Sequence, residues 1–339
     1  MSKSLGNSPD PIELIHKFGA DGVRVGVLIS SPAGNDLPFD TSQCEQGRNF
    51  ANKIWNAFRL VSNWDVRDME QPESSIVAIR WFENKLQKTL EEINQMYEQY
   101  RISEALMATY KLVWDDFCSW YLEIVKPGYK QPIDQKTLRQ SEAFFDTILK
   151  LLHPFMPFVS EELWHLISKK DGDLMISSWP EFKGYDEKEL KDFELSSEVI
   201  SSVRNVRKEQ NIASKVKLEL FYSNEFARNE SHDAMIQKMA NLSLFETTEK
   251  KINNSNGFIV SGVEFFVPFG DSIDVEAERQ KIEQELDYSR GFLTSVQKKL
   301  SNERFVSSAP KNVVDMERKK ESDALTKITL LEEKLNTLV

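Results

Sequence analysis

Three sets of side chains in this sequence have the types and spacing to act on phosphates or nucleobases. The first is the opening run Met1-Ser2-Lys3-Ser4-Leu5-Gly6-Asn7, in which one ammonium, two hydroxyls and a glycine make a short polar loop suited to gripping a polyphosphate. A chain end without fixed structure is the plain alternative. The second set is Asn49, Asn52, Asn56, Arg59 and Asn63, spaced three and four apart, with Arg48 and Lys53 alongside. Asparagine is a poor helix former, so this many need a reason. Hydrogen bonds between helices are one reason. Hydrogen bonds to unpaired nucleobases, with Arg48, Lys53 or Arg59 on phosphates, are the other. The third set is Arg290, Lys298, Lys299, Arg304, Lys311, Arg318, Lys319 and Lys320. Residues 288–320 carry these eight bases against three acids, whereas 271–287 carry seven acids against Arg279 and Lys281. A solvated helical surface would normally intersperse the signs; segregation suits contact with a phosphate backbone.

Two other stretches look chemical and read better as packing. In Trp114-Asp115-Asp116-Phe117-Cys118-Ser119-Trp120-Tyr121 the aromatics fall at core spacing. His153, in Leu152-His153-Pro154-Phe155-Met156-Pro157-Phe158, has no partnered nucleophile or acid in the sequence, and its two prolines define a bend.

The elements that must position these groups follow from periodicity. The chain has 339 residues, which implies two or three domains. Residues 1–40 are rich in Gly and Pro and read as short helices and turns with too few apolar positions to fold alone. From Ser42 to about Leu166 apolar residues recur at helical spacing, predicting a bundle of four or five antiparallel helices in a domain that spans 41–194. Residues 195–271 predict a small α/β subdomain. It comprises an amphipathic helix with Val199, Val203 and Val206, a strand near Lys215–Tyr222 and a hairpin turning at Ser261-Gly262, while 224–256 reads as a loop. Residues 272–339 predict two helices with a narrow apolar seam, broken at Ser307-Ser308-Ala309-Pro310 into an antiparallel coiled-coil hairpin. The fold class expected is therefore mainly α.

Composition narrows the function classes. A net charge of -11 repels nucleic acid in bulk, so any such contact must be local. Cys44 and Cys118 lack Cys or His partners at ligand spacing, so no metal site or disulfide framework is expected, and a reducing cytoplasm fits. No leader and no membrane-spanning apolar run is expected.

Met1 to Asn7, continued by Pro11, Ile12, Gly19-Ala20-Asp21 and Arg24, resembles the KMSKS loop of class I aminoacyl-tRNA synthetases and its continuation, entered after the motif's first lysine. Pro32-Ala33-Gly34-Asn35-Asp36 and the run Gly47 to Asn56 resemble the valyl-tRNA synthetase family, as does Leu300-Ser301-Asn302-Glu303-Arg304-Phe305-Val306 with Ala309-Pro310. The aromatic and proline-rich stretches are similar to the anticodon-binding domain shared with the isoleucyl, leucyl and methionyl enzymes.

The resemblance implies that Met1, Ser2, Lys3 and Ser4 touch ATP. Lys3 would stabilise phosphate charge as the adenylate forms, a role in which one lost donor lowers the rate by about 10²- to 10³-fold. It implies valine, ATP with Mg²⁺ and valine tRNA as substrates of the complete enzyme, with no cofactor in this chain. It also implies anticodon contacts from 41–194 and tRNA contacts from the C-terminal arm. The chain alone is expected to bind tRNA without catalysing, as a monomer in the cytoplasm. A stand-alone tRNA-binding module and the matching part of an isoleucyl enzyme are the alternatives.

Overall fold

The computed structural model describes residues 9–30, 39–168, 172–223, 226, 228–252, 254–268 and 275–301, then 314, 316–318, 320–321, 324–325, 328, 332 and 335. Met1, Ser2, Lys3, Ser4, Arg304, Lys311, Lys319 and the turn expected at Ser307–Pro310 lie outside them. The described residues are mainly helical, with two small sheets. They form two compact units: 1–196 with 228–239, and 197–227 with 240–339.

In the first unit α1 (Pro11–Phe18) starts on Asp10, whose side chain accepts from Ile12 N at 2.7 Å, and ends at Gly19, where φ is +77°. α2 (Ala20–Ile29) then packs on α3 (Thr41–Ser62) with the two backbones in near contact. A Cβ on Gly26 would meet Cys44 N at 2.6 Å, and one on Gly47 would meet Gly22 O at 2.5 Å. Only glycine allows this approach.

α4 (Glu73–Glu98), α5 (Ile102–Lys111), α6 (Leu122–Val125), α7 (Gln135–Leu152) and α8 (Pro157–Ser168) complete the bundle, with a two-residue parallel pair of β1 (Val66–Arg67) and β2 (Ile133–Asp134). Its centre is aromatic: Phe82 lies 4.9–5.2 Å from Phe117, Tyr121 and Phe144, and Phe117 meets Phe145 at 5.0 Å. The aromatics at 114–121 are thus packing groups. Periodicity did not foretell their backbone, a π-helix over Leu112–Tyr121, in which the Ser119 hydroxyl donates to Trp114 O five residues back at 2.8 Å. The wider turn carries Asp116 inward. Burial pushes its carboxyl up to about 6; Lys85 at 3.6 Å partly offsets the rise and Asp115 adds to it.

The bend before α8 is held from α2. Asp21, buried, accepts from Val159 N at 2.7 Å and Phe158 N at 3.2 Å, capping α8 from a distant part of the chain. Arg24 donates to Pro154 O at 3.0 Å and Phe155 O at 3.1 Å. Burial raises the Asp21 carboxyl although both backbone bonds pull it down. His153 bonds Ser160 Oγ at 2.9 Å within this bend.

α9 (Glu187–Glu209) starts eight residues before the amphipathic stretch expected at 195, and its Val199, Val203 and Val206 are buried. In the second unit β3 (Leu218–Ser223) lies between β4 (Leu242–Thr248), parallel to it, and β6 (Val263–Pro268), antiparallel; β5 (Ser255–Val260) pairs outside β6. The β5–β6 hairpin turns at Ser261 and Gly262, both with positive φ as a two-residue primed turn requires. The expectation of a loop over 224–256 is corrected: the stretch holds α10 (Asp233–Ala240) and β4. Residues 228–239 belong to the first unit, where Lys238 donates to Ile124 O and Lys126 O. Arg207 binds the carbonyls of Val216, Ala240 and Asn241 at 2.8–2.9 Å, satisfying the strand ends.

α11 (Val275–Leu300) buries Ile282, Leu286 and Val296. Ile328 joins Ile282 and Leu286 in one apolar cluster, with Leu293 and Leu335 against it. Arg290 pairs with Glu332 at 2.6 Å and Lys299 with Glu317 at 3.8 Å.

Gly26→Ala is expected to destabilise the chain by about 1–3 kcal/mol, since the new methyl meets the Cys44 backbone as well as its Sγ, and the backbone cannot move aside cheaply. An unchanged melting temperature would show that α2 and α3 separate freely. Asp116→Asn carries a pH signature. The folded carboxyl titrates near 6, above its unfolded value, so ionising it opposes folding increasingly between about pH 4 and 6 and fully above. The variant should gain on the order of 1–3 kcal/mol at pH 7 and nearly nothing at pH 4. Equal effects at the two pH values in denaturant titrations would overturn this.

Candidate nucleic-acid interface

α3 is started by Asp40, which accepts from Ser42 N at 2.9 Å. Its buried side is Cys44, Gly47, Phe50, Ile54, Ala57 and Val61, spaced three and four apart. The opposite side leaves Asn49, Asn52, Asn56, Arg59 and Asn63 exposed. Asn63 Nδ2 donates to Arg59 O at 2.7 Å. The side chains of Asn49, Asn52 and Asn56 make no hydrogen bond to any described residue, so bonding between helices of the bundle does not account for them. Each carboxamide presents two donors and an acceptor, the complement of a nucleobase edge.

The three cations beside this row differ in freedom. Arg48 is half-buried, 3.2 Å from Glu45 Oε1 and 5.9 Å from the Phe18 ring. Lys53, also half-buried, has Nζ 5.3 Å from the centre of the Trp114 ring. Only Arg59 of the three is exposed without an ion pair among the described residues. The row is therefore a neutral polar strip with one open cation.

The arm candidates divide similarly. Arg290 is paired with Glu332, while Lys299 and Lys320 share Glu317. These contacts, the hydrogen bond from Lys320 foremost, hold the Glu317 carboxyl below its ordinary range. Lys298 and Arg318 are exposed and have no ion pair among the described residues. The positive stretch is thus partly neutralised within the arm. Tyr288 and Phe292, four apart on α11 and exposed, were missed because they lie off the apolar seam. An exposed i, i+4 ring pair is the signal that would have found them, and such rings can stack on bases.

The Ser196–His232–Glu189 arrangement does not read as catalytic. His232 Nδ1 meets Ser196 Oγ at 2.9 Å and its Nε2 meets Glu189 Oε1 at 3.3 Å. His232 is fully buried, and Ser196 also donates to Asp192 O, leaving no path for a substrate. Burial works to raise the Glu189 carboxyl, but bonds from His232 and Arg80 outweigh it and lower it. The cluster anchors 228–239 to the first unit.

Comparison with known proteins gives two family matches. Residues 79–222 match the model for the anticodon-binding domain of tRNA ligases, and residues 274–339 match that for the valyl-tRNA synthetase tRNA-binding arm. The first match begins after α3, so the amide row lies ahead of it. Among curated proteins, valine–tRNA ligases from Parabacteroides distasonis and Christiangramia forsetii are 52% and 51% identical over 341 residues, and one from Listeria innocua is 37% identical over 355. Each alignment covers all of this chain, which spans about 39–40% of the length of those relatives, their C-terminal part.

Asn52→Ala and Asn56→Ala, alone or together, are expected to leave stability within about 0.5 kcal/mol or raise it slightly, because the amides are unbonded and alanine is the better helix former. A clear fall in melting temperature would place these amides in the packing of the bundle.

Proposed function

We propose, for a chain that belongs to the valine–tRNA ligase family, that its first unit reads the anticodon through α3 and that its arm grips tRNA. The observation that carries this is the row of unbonded carboxamides on α3, set on a rigid helix and unexplained by folding. Neutral amides suit base reading on an acidic protein, since they bind by geometry and leave net charge alone. The two matched domains support tRNA as the partner class.

The complete ligase would activate valine with ATP and Mg²⁺ and pass it to the terminal ribose of valine tRNA. Lys3, with Met1, Ser2 and Ser4 around the phosphates, would stabilise charge in the first step. In this reading Arg59 meets a phosphate near the anticodon, Lys298 and Arg318 meet phosphates along the arm, and Arg290, Lys299 and Lys320 chiefly hold the arm together. The protein would work as a monomer in the cytoplasm.

The test is binding of the purified chain to valine tRNA, to anticodon-substituted valine tRNA and to a non-cognate tRNA across a salt series. Asn52→Ala with Asn56→Ala should cut anticodon discrimination by about tenfold per lost base contact, each worth ~1–3 kcal/mol. Lys298→Glu with Arg318→Glu should instead weaken all tRNAs alike and lower the salt slope by about one per lost phosphate contact. Discrimination that survives the asparagine changes would remove α3 from the reading, and an unchanged slope would remove the arm's free cations.

A further inference from the structure

A second cluster of polar side chains lies on α8. Glu161 and His165 are one turn apart on that helix, so their side chains rise from the same face. The chain comes back past them through Gly172, where φ is +99°, and presents Asp173. His165 Nε2 lies 3.3 Å from Glu161 Oε1 and 3.7 Å from Asp173 Oδ1, and one ligand atom from each of the three residues lies within 4.8 Å of the other two.

We propose that Glu161, His165 and Asp173 form a zinc-binding site, with water in the fourth position. Zinc holds His nitrogen and carboxylate oxygen at about 2.0–2.2 Å in a tetrahedron, which sets neighbouring ligand atoms roughly 3.3 Å apart. The spacing found around His165 is close to that before any ion enters. One imidazole with two carboxylates is a donor set of zinc type; calcium and magnesium favour oxygen alone.

The surroundings hold the donors in place as an outer ligand shell does. Leu174 N–H donates to Glu161 Oε1 at 2.7 Å, leaving that oxygen's other lone pair for an ion. His153 Nε2 sits 3.9 Å from Glu161 Oε2. The Trp164 indole N–H donates to Gly172 O at 3.2 Å, which fixes the turn delivering Asp173. His165 and Asp173 are exposed, so an ion can reach them from solvent. A search for Cys and His spacing misses the site because two of its three ligands are carboxylates. Bound zinc would tie the chain at Asp173 to α8.

The experiment is calorimetric titration of the metal-free full chain with zinc chloride, alongside thermal melts with and without zinc. The expected result is one saturable equivalent and a melting temperature several degrees higher with zinc in excess. His165→Ala and Asp173→Asn should each weaken binding at least about tenfold and remove the shift. Both side chains are exposed, so metal-free melts of the variants should match the parent, and His165→Gln should repeat the loss with less change in volume. No saturable zinc binding by the parent overturns the site. So does binding that His165→Ala leaves unchanged, which would put zinc elsewhere, at His16 or a cysteine.

Discussion

The first unit depends on one constraint, the near contact of the α2 and α3 backbones at Gly22, Gly26 and Gly47. Backbone atoms, with only Cys44 Sγ and Val25 Cβ beside them, fill the space at Gly26 and Gly47, so α3 has little room to roll about its axis. That fixes which side of α3 is buried, and with it which side shows the amides. The same α2 sends Asp21 and Arg24 to the bend before α8. A helix of ten residues therefore sets both the orientation of the base-reading candidate and the entry of α8. Close packing makes such a joint stiff, since a single methyl cannot be absorbed without moving backbone.

Much of this was legible in the sequence. Long helices with a 3.6-residue apolar repeat announce themselves, and the amide row was visible because asparagines at that spacing offend helix propensity. The β5–β6 hairpin was legible from Ser261-Gly262, since few residue pairs suit two positive φ angles. What escaped was structure set by distant partners. α10 has eight residues, too few to show a period, and it is anchored by Lys238 on the carbonyls of Ile124 and Lys126, far away in sequence. β4 carries polar residues on its exposed side, and its pairing with β3 is a long-range choice. The π-helix was hidden because Trp114, Phe117 and Tyr121 lie three and four residues apart in sequence, the same steps an ordinary α-helix shows.

At the candidate interface, the sequence named the groups but not their state. Arg48, Lys53 and Arg59 look alike as letters; the fold occupies Arg48 with Glu45 and Lys53 with an aromatic face, and it leaves Arg59 open. Arg290, Lys299 and Lys320 likewise meet carboxylates that a count of charges treats as a background deduction. Pairing is a tertiary property and one-dimensional charge patterning cannot see it.

That pairing bears on the proposed binding of tRNA by an acidic protein. A cation already held by a carboxylate must give up that partner before it can meet a phosphate, so it adds little to indiscriminate attraction. With a net charge of -11 and several arm cations neutralised internally, non-specific binding to any polyanion is held down. Contacts that depend on fit then carry more of the difference between one tRNA and another. In the proposed reading the carboxamides of α3 would provide such contacts, because a mismatched base leaves a desolvated donor or acceptor without a partner, and that penalty is larger than the net gain of a matched bond. In that reading weak general attraction and geometry-dependent hydrogen bonding would act together: the first would lower the background, and the second would set the choice.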